Sequence, residues 1–173
     1  MHLSFPSDAV VVVAGVPGAG KTTLIRRAVD RGAVLVVDTD DRRDAGRRRL
    51  LYPGHYARIM AAVAGRRPVV IHSRGTQPAA RLAIAALAAL RGRPAHLVML
   101  DVARGEAESG QRARGRTVAR GEMDRQVARW GRLMARRPRG WASVVVLDRR
   151  QAARTEAFEF RPALEPRAAA ATI

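Results

Sequence analysis

The chain has 173 residues, the size of one domain able to bury a core without covalent staples. It contains no cysteine and no asparagine, which excludes disulfides, thiolate metal sites, cysteine nucleophiles and N-glycosylation. Its 32 basic residues outweigh 15 acidic ones to give +17, and 31 of the 32 are arginine, Lys21 being the single lysine.

Residues 8–14, Asp-Ala-Val-Val-Val-Val-Ala, are a β-branched run of the kind that fills a strand buried on both faces. A glycine-rich turn follows, then residues 21–30 read as a helix. Residues 33–37 predict a second strand, ending in Asp38-Thr39-Asp40-Asp41. Residues 42–66 read as mostly helical and very basic, punctuated by Pro53-Gly54, and 68–71 as a third strand. Thr76 is placed to cap a helix entered through Pro78. That helix runs to about Leu90, is apolar on nearly every side, and is expected to be well buried.

A fourth strand covers 95–100 and stops at Asp101. Residues 103–120 are polar, glycine-punctuated and rich in arginine; 122–136 read as an amphipathic helix and 143–147 as a fifth strand. Alternating strands and helices predict a three-layer α/β domain over 1–160 with a mainly parallel sheet. Pro162, Pro166 and an alanine run in 161–173 point to a disordered tail. No run of 18 apolar residues exists, so no membrane span is expected. The first ten residues lack a basic leader region, and the expected address is the cytoplasm.

Residues 15–22, Gly-Val-Pro-Gly-Ala-Gly-Lys-Thr, spell G-x-x-x-x-G-K-[ST], the phosphate-binding loop. Its context is a buried strand before and a helix after. Gly15, Gly18 and Gly20 let the backbone turn with its N–H groups inward, and the helix N-terminus adds to the pull on anionic oxygens. Lys21 reaches terminal phosphates as a compact ammonium, which arginine does not replace. The Thr22 hydroxyl is placed to ligate Mg²⁺. That the one lysine of the chain stands where the motif needs it separates this loop from an ordinary glycine turn.

The class of nucleotide protein is narrowed by what is missing. A GTPase needs Asn-Lys-x-Asp to read guanine; with no asparagine and one lysine this is impossible, and no Asp-x-x-Gly switch occurs. A large ATPase motor needs a second subdomain, for which the chain is too short. Small kinases fit better, because they close an arginine-bearing lid over the phosphates to exclude water. Residues 103–120 have that character: Arg112, Arg114 and Arg116 alternate, with Gly110 and Gly115 as candidate hinges. On the acceptor side, a carboxylate among Asp38, Asp40 and Asp41 is placed to take or orient a hydroxyl proton. Arg42 and Arg43 are placed to clamp an anionic group.

These features together resemble the P-loop kinases related to phage polynucleotide 5′-kinase, with an AAA-type ATP-binding domain. The group also includes zeta-toxin-like and chloramphenicol-phosphotransferase-like proteins. The resemblance rests on Gly-Val-Pro-Gly-Ala-Gly-Lys-Thr-Thr, Thr39 to Arg43, Arg112 to Val118, the helix with Met123 and Trp130, and Leu147-Asp148-Arg149. It covers about residues 9–150. It implies strand order 2-3-1-4-5, ATP and Mg²⁺, with nucleotide held by Gly15, Val16, Pro17, Gly18, Ala19, Gly20, Lys21, Thr22 and Thr23. It also implies that Asp40 acts on the acceptor hydroxyl, that Arg43 contacts an acceptor phosphate, and that Arg114 closes from the lid. Ser73 or Arg74 is placed to contact substrate. Relatives commonly carry an Asp near the end of the third strand, where this chain reads Ile71-His72-Ser73-Arg74. Magnesium would then rest on Thr22 with waters and distant carboxylates, or the chain would bind ATP without transferring it.

The net charge is compatible with nucleic acid and equally with the codon usage of a GC-rich genome. Arg125, Arg129, Arg132 and Arg136 share one helical face, a solvated surface or a phosphate track; seven aromatic side chains leave few stacking platforms. Met123, Val127, Trp130 and Met134 share the opposite face and read as core. His72 and Ser73 lack the elbow of a serine hydrolase, and the four histidines lack metal-ligand spacing. His96 reads as a core residue.

Overall fold

The computed structural model describes residues 1–38, 48–73, 77–113, 115, 118–136 and 138–162, with 48–53 described by backbone alone. Among them run β1 (His2–Pro6), β2 (Val10–Gly15), α1 (Lys21–Ala28), β3 (Leu35–Val37), α2 (Arg48–Ala64), β4 (Val69–His72) and α3 (Pro78–Leu90). Next come β5 (Ala95–Leu100), α4 (Arg104–Arg112), α5 (Arg120–Ala135), β6 (Ser143–Leu147), α6 (Arg149–Arg154) and β7 (Ala157–Arg161).

Five strands form one sheet in the order β3-β4-β2-β5-β6, with every neighbouring pair parallel. This is the predicted 2-3-1-4-5 order with one strand more at the N-terminus. Val10 to Val13, Val69 to Ile71 and Leu97 to Val98 are wholly buried. Parallel strands covered by helices on both faces have no polar side to present, which is why they read as unbroken apolar runs. Because the strands are parallel, their C-terminal ends lie along one edge, where the loop after β2 also lies.

The sequence pattern did not disclose a second, two-stranded sheet in which β1 runs parallel to β7. Phe5 is buried there, its ring centroid 5.5 Å from that of Phe158 and 5.6 Å from that of Phe160. The strand β7 ends at Arg161, the first residue of the expected tail; residues 163–173 lie outside those described. The helix α2 continues through Pro53-Gly54 rather than stopping there. A proline near a helix start removes a single backbone bond, and buried Ile59 and Val63 further along tie the helix to the core.

Two further expectations are corrected. α3 buries only Ile84, Ala85 and Ala88 fully, and Leu82 and Leu90 are 70% and 81% exposed. A helix that packs one face on a sheet leaves the other to water, whatever its composition. The cap of α3 is Gln77, with Pro78 in the first turn; Thr76 lies outside the described residues. The face Met123, Trp130 is buried as predicted, joined by Gln126 and Leu133, with Val127 and Met134 packed at its margin.

Arg93, unnoticed in the sequence, is a buried cation that knits three elements. Its guanidinium donates to the carbonyls of Asp8, Ala62, Val63, Gly65 and Arg67 at 2.6 to 3.1 Å. Two of them, Ala62 and Val63, lie in the last turn of α2, where carbonyls lack a full set of helical partners. His96 sits in the core as expected, its Nδ1 2.8 Å from Ser143 Oγ and its ring edge-on to Phe5; burial lowers its proton affinity. Among the described residues no helix is long and apolar enough to cross a membrane.

Candidate nucleotide site

The loop between β2 and α1 is built from residues that cannot be exchanged freely. Gly18 and Gly20 have φ of 87° and 97°, a left-handed conformation that side chains resist, and successive residues of this kind turn amide N–H groups toward one concave face. Gly20 is the N-cap of α1; no side chain caps that helix and its first turn holds no acid. The leading amides of α1 therefore keep their donors for an anion. Ala19 N–H donates to Val16 O at 3.1 Å, closing the turn.

Lys21 and Thr22 open α1 and are 6% and 7% exposed. Lys21 Nζ donates to Gly15 O at 2.8 Å and to Val16 O at 2.9 Å, so the loop itself holds the ammonium at its mouth. Val16 and Ala19 are buried, Pro17 is half-buried and Thr23 is exposed. The residues expected from Gly15 to Thr23 thus lie in one continuous loop and helix start. The hydroxyl of Thr22 suits a Mg²⁺ ligand. Among the described residues no group of three or more His, Asp or Glu side chains is arranged to hold a metal ion.

The segment after β5, where an arginine-bearing lid is expected over 103–120, starts as a helix. Residues 104–112 are the helix α4, and Gly110 lies inside it against the nucleotide loop, where it is a point of contact and no hinge. A Cβ on Gly18 would run into the carbonyl of Ala107, and one on Gly110 would stand 2.5 Å from Gly18 O. Gln111, also unnoticed in the sequence, bridges the two: its Nε2 donates to Pro17 O at 3.1 Å and its Oε1 accepts from Val118 N at 2.9 Å. Arg149, after β6, donates to Glu106 O at 3.2 Å. Arg112 is exposed and donates to Ser109 Oγ at 2.9 Å. Gly115 has φ of 61°. Arg104, Glu108, Gln111, Arg112, Val118, Arg120 and Met123 line a cleft of about 420 Å³ beside this helix.

Asp40, Arg43, Arg74 and Arg114 lie outside the described residues, as do Asp41, Arg42 and Arg116. What is described at the acceptor edge is a pair that the sequence alone does not connect: His72, ending β4, hydrogen-bonds through Nδ1 to Oδ1 of Asp38, which follows β3. Beside it on α2, His55 has its proton affinity lowered, first by burial and then by Arg58. Tyr56 OH donates to Gln77 Oε1 at 2.9 Å. The pairing of β3 with β4 sets Asp38 beside His72; in the sequence neither residue announces the other.

The family described as AAA domain matches residues 10–139. No curated protein matches the chain in sequence. A gluconokinase from Sinorhizobium meliloti 1021 is 20% identical over 86% of this chain and 87% of its own, with a TM-score of 0.63. Kti12 from Chaetomium thermophilum, solved in complex with ADP-AlF3, is 19% identical over 80% and 88%, with a TM-score of 0.57. A structure of the PezAT chromosomal toxin-antitoxin system of Streptococcus pneumoniae is 14% identical over 86% and 70%, with a TM-score of 0.58. At such identities the likeness is one of fold, and that fold is the P-loop NTPase fold.

Proposed function

We propose that this chain, which belongs to the AAA domain family, is an ATP-dependent kinase that transfers a γ-phosphoryl group to a hydroxyl acceptor, in the manner of polynucleotide kinases. The observation that carries the reading is the loop 15–22, with Lys21 and Thr22 buried at the head of an uncapped helix. The loop amides and Lys21 Nζ hold the triphosphate, and Thr22 would hold Mg²⁺. The ion, when bound, neutralises charge developing on the phosphate oxygens. Asp40 receives or orients the acceptor hydroxyl, Arg43 and Arg74 hold the acceptor's anionic part, and Arg114 approaches the transferring group from the lid. The seat of α4 on the loop supports a lid that starts directly over the phosphates and excludes water from them. The acceptor is a nucleic-acid 5′-end, a nucleoside or a small hydroxyl compound.

A second reading, a regulatory ATP binder without transfer and associated with nucleic acid, is favoured by one observation: β4 ends in His72, followed by Ser73, with no acid at that strand end. ATP consumption that rises with an added hydroxyl compound separates the two, and steep salt-dependent retention of DNA or RNA tests the nucleic-acid link. Lys21→Ala abolishes transfer with the fold, read by circular dichroism, intact. Transfer by Lys21→Ala at the wild-type rate removes the phosphate-loop assignment.

A further inference from the structure

The edge of the sheet beside the nucleotide loop holds a buried pair that the chemistry above leaves unused. The register Val37↔Ile71 sets Asp38 beside His72, and their side chains are 2% and 9% exposed. Burying such a pair costs desolvation that its attraction only partly returns, so it is poorly explained as a device for stability. β4 also lies next to β2, with His72 opposite Val13 and Ser73 N donating to Val13 O at 3.0 Å. The backbone at His72 therefore stands one strand spacing, about 5 Å, from the strand that runs into the phosphate loop. Its Nε2 has no hydrogen-bond partner among the described residues. Nearby, Nδ1 of His55 is buried, again without a partner among the described residues. A buried polar atom such as Nδ1 of His55 is seldom left so, and it points to this edge as a place for a polar ligand.

We propose that Asp38 and His72 form a dyad in which Nε2 of His72 is the general base for the acceptor hydroxyl and Asp38 is its positioning residue. The proposal rests on the phosphotransferase reading. Asp38 accepts the Nδ1–H bond, which fixes the tautomer whose Nε2 carries the lone pair. As the acceptor oxygen bonds to the γ-phosphorus, its proton passes to Nε2. The bond from the γ-phosphorus to the β,γ-bridging oxygen breaks, and its electron pair leaves with ADP. The imidazolium is stabilised by Asp38 and releases its proton to solvent after the product departs. Asp40 is then left to orient the hydroxyl. Among the described residues, the titratable groups that interact around His72 are Asp38, after β3, and His55 with Arg58 beyond it from α2. His55, whose proton affinity is lowered first by burial, is left to hydrogen-bond the acceptor.

The test uses the full chain with Mg·ATP and three acceptors: water, gluconate and a 5′-hydroxyl oligodeoxynucleotide. Nitrogen-15 spectra of the wild type are expected to show His72 as the Nδ1–H tautomer. His72→Gln is expected to keep the Kd for Mg·ATP within about twofold, lower transfer by about 10²- to 10⁴-fold, and erase the acid limb of the pH–rate profile. Asp38→Asn is expected to invert the tautomer and lower transfer to a similar degree, again with nucleotide affinity kept. Wild-type transfer by His72→Gln with its acid limb intact overturns the dyad and leaves the kinase reading standing. An Nε2–H tautomer in the wild type does the same without any variant, should the variants fail to fold. Mg·ATP binding with no transfer to any of the three acceptors also overturns the base. A wild type that binds no Mg·ATP removes the kinase reading and the dyad with it.

Discussion

Gly110 meets Gly18 backbone to backbone: a methyl group on Gly110 would lie 2.5 Å from the Gly18 carbonyl oxygen. Helix and loop therefore meet through backbone at this point, and Gln111 ties the helix to the loop through Pro17 and to the segment before α5 through Val118. The shape of the loop depends on where α4 stands.

Gly110→Ala should push α4 off the loop. Overpacking of this kind costs about 1–3 kcal/mol, and if the strain falls on the loop, ATP affinity drops by about 5- to 150-fold. Gly105→Ala is the control, since its Cβ meets nothing within 4 Å on the same helix. It should leave affinity unchanged and raise stability by up to about 1 kcal/mol. Calorimetric titration with Mg·ATP and thermal melts of the two variants make the comparison. Equal affinities would mean that α4 and the loop are not coupled.

Asp40→Asn should lower turnover by about 100-fold or more while ATP affinity changes little. Equal losses in kcat and in nucleotide affinity, measured side by side, would take Asp40 away from the acceptor.

Arg93→Met removes a cation that donates to five carbonyls. Those oxygens are then left without their donor, at about 3–5 kcal/mol in total, or a fall in Tm of about 10 °C for a chain of this length. Arg93→Lys should recover only part of it, because an ammonium lacks the fork that spans so many acceptors. A melt of Arg93→Met within about 2 °C of the wild type (about 1 kcal/mol) would contradict the assignment.

The junction of β1 and β7 should depend on pH. Glu159 first and Glu156 second hold the His2 imidazolium above its ordinary 6.5; His2 in return holds both carboxyls below 4.5. A raised histidine stabilises fully below its unfolded value, and the contribution is lost as pH rises through the folded value. Lowered carboxyls stabilise above their unfolded value, and that is lost as pH falls through the folded one. The junction is tightest between the two ranges, at about pH 5–6. Amide exchange of residues 2–6 in wild type and in His2→Gln should differ most there and converge by about pH 9. A difference independent of pH would rule out the imidazolium.

The phosphate loop was legible because local requirements dictate its residue types and spacing. The backbone must turn, amides must face inward, and one ammonium must stand at the mouth. The three inner strands β2, β4 and β5 were legible because burial on both faces writes itself as Val-Val-Val-Val or His-Leu-Val-Met-Leu, and the edge strands β3 and β6 as shorter apolar runs. What stayed hidden depends on a neighbour remote in sequence. Gly110 reads as a hinge until Gly18 is set against it. Asp38 and His72 are unremarkable until β3 and β4 align. Phe158 and Phe160 sit in a five-residue strand whose meaning comes from Phe5. Leu82 and Leu90 show the converse error, since an apolar helix face does not guarantee a surface to bury it.

The parallel pairing of β1 with β7 joins residues such as Ser4 and Glu159, 155 positions apart. During synthesis, then, β1 waits for the 155 positions between Ser4 and Glu159 to be made before its partner exists. Until then Phe5 lacks the rings of Phe158 and Phe160, and the nascent protein carries an apolar strand with an open edge. Such late-closing contacts slow the final step of folding and leave that edge available to other chains in the interval.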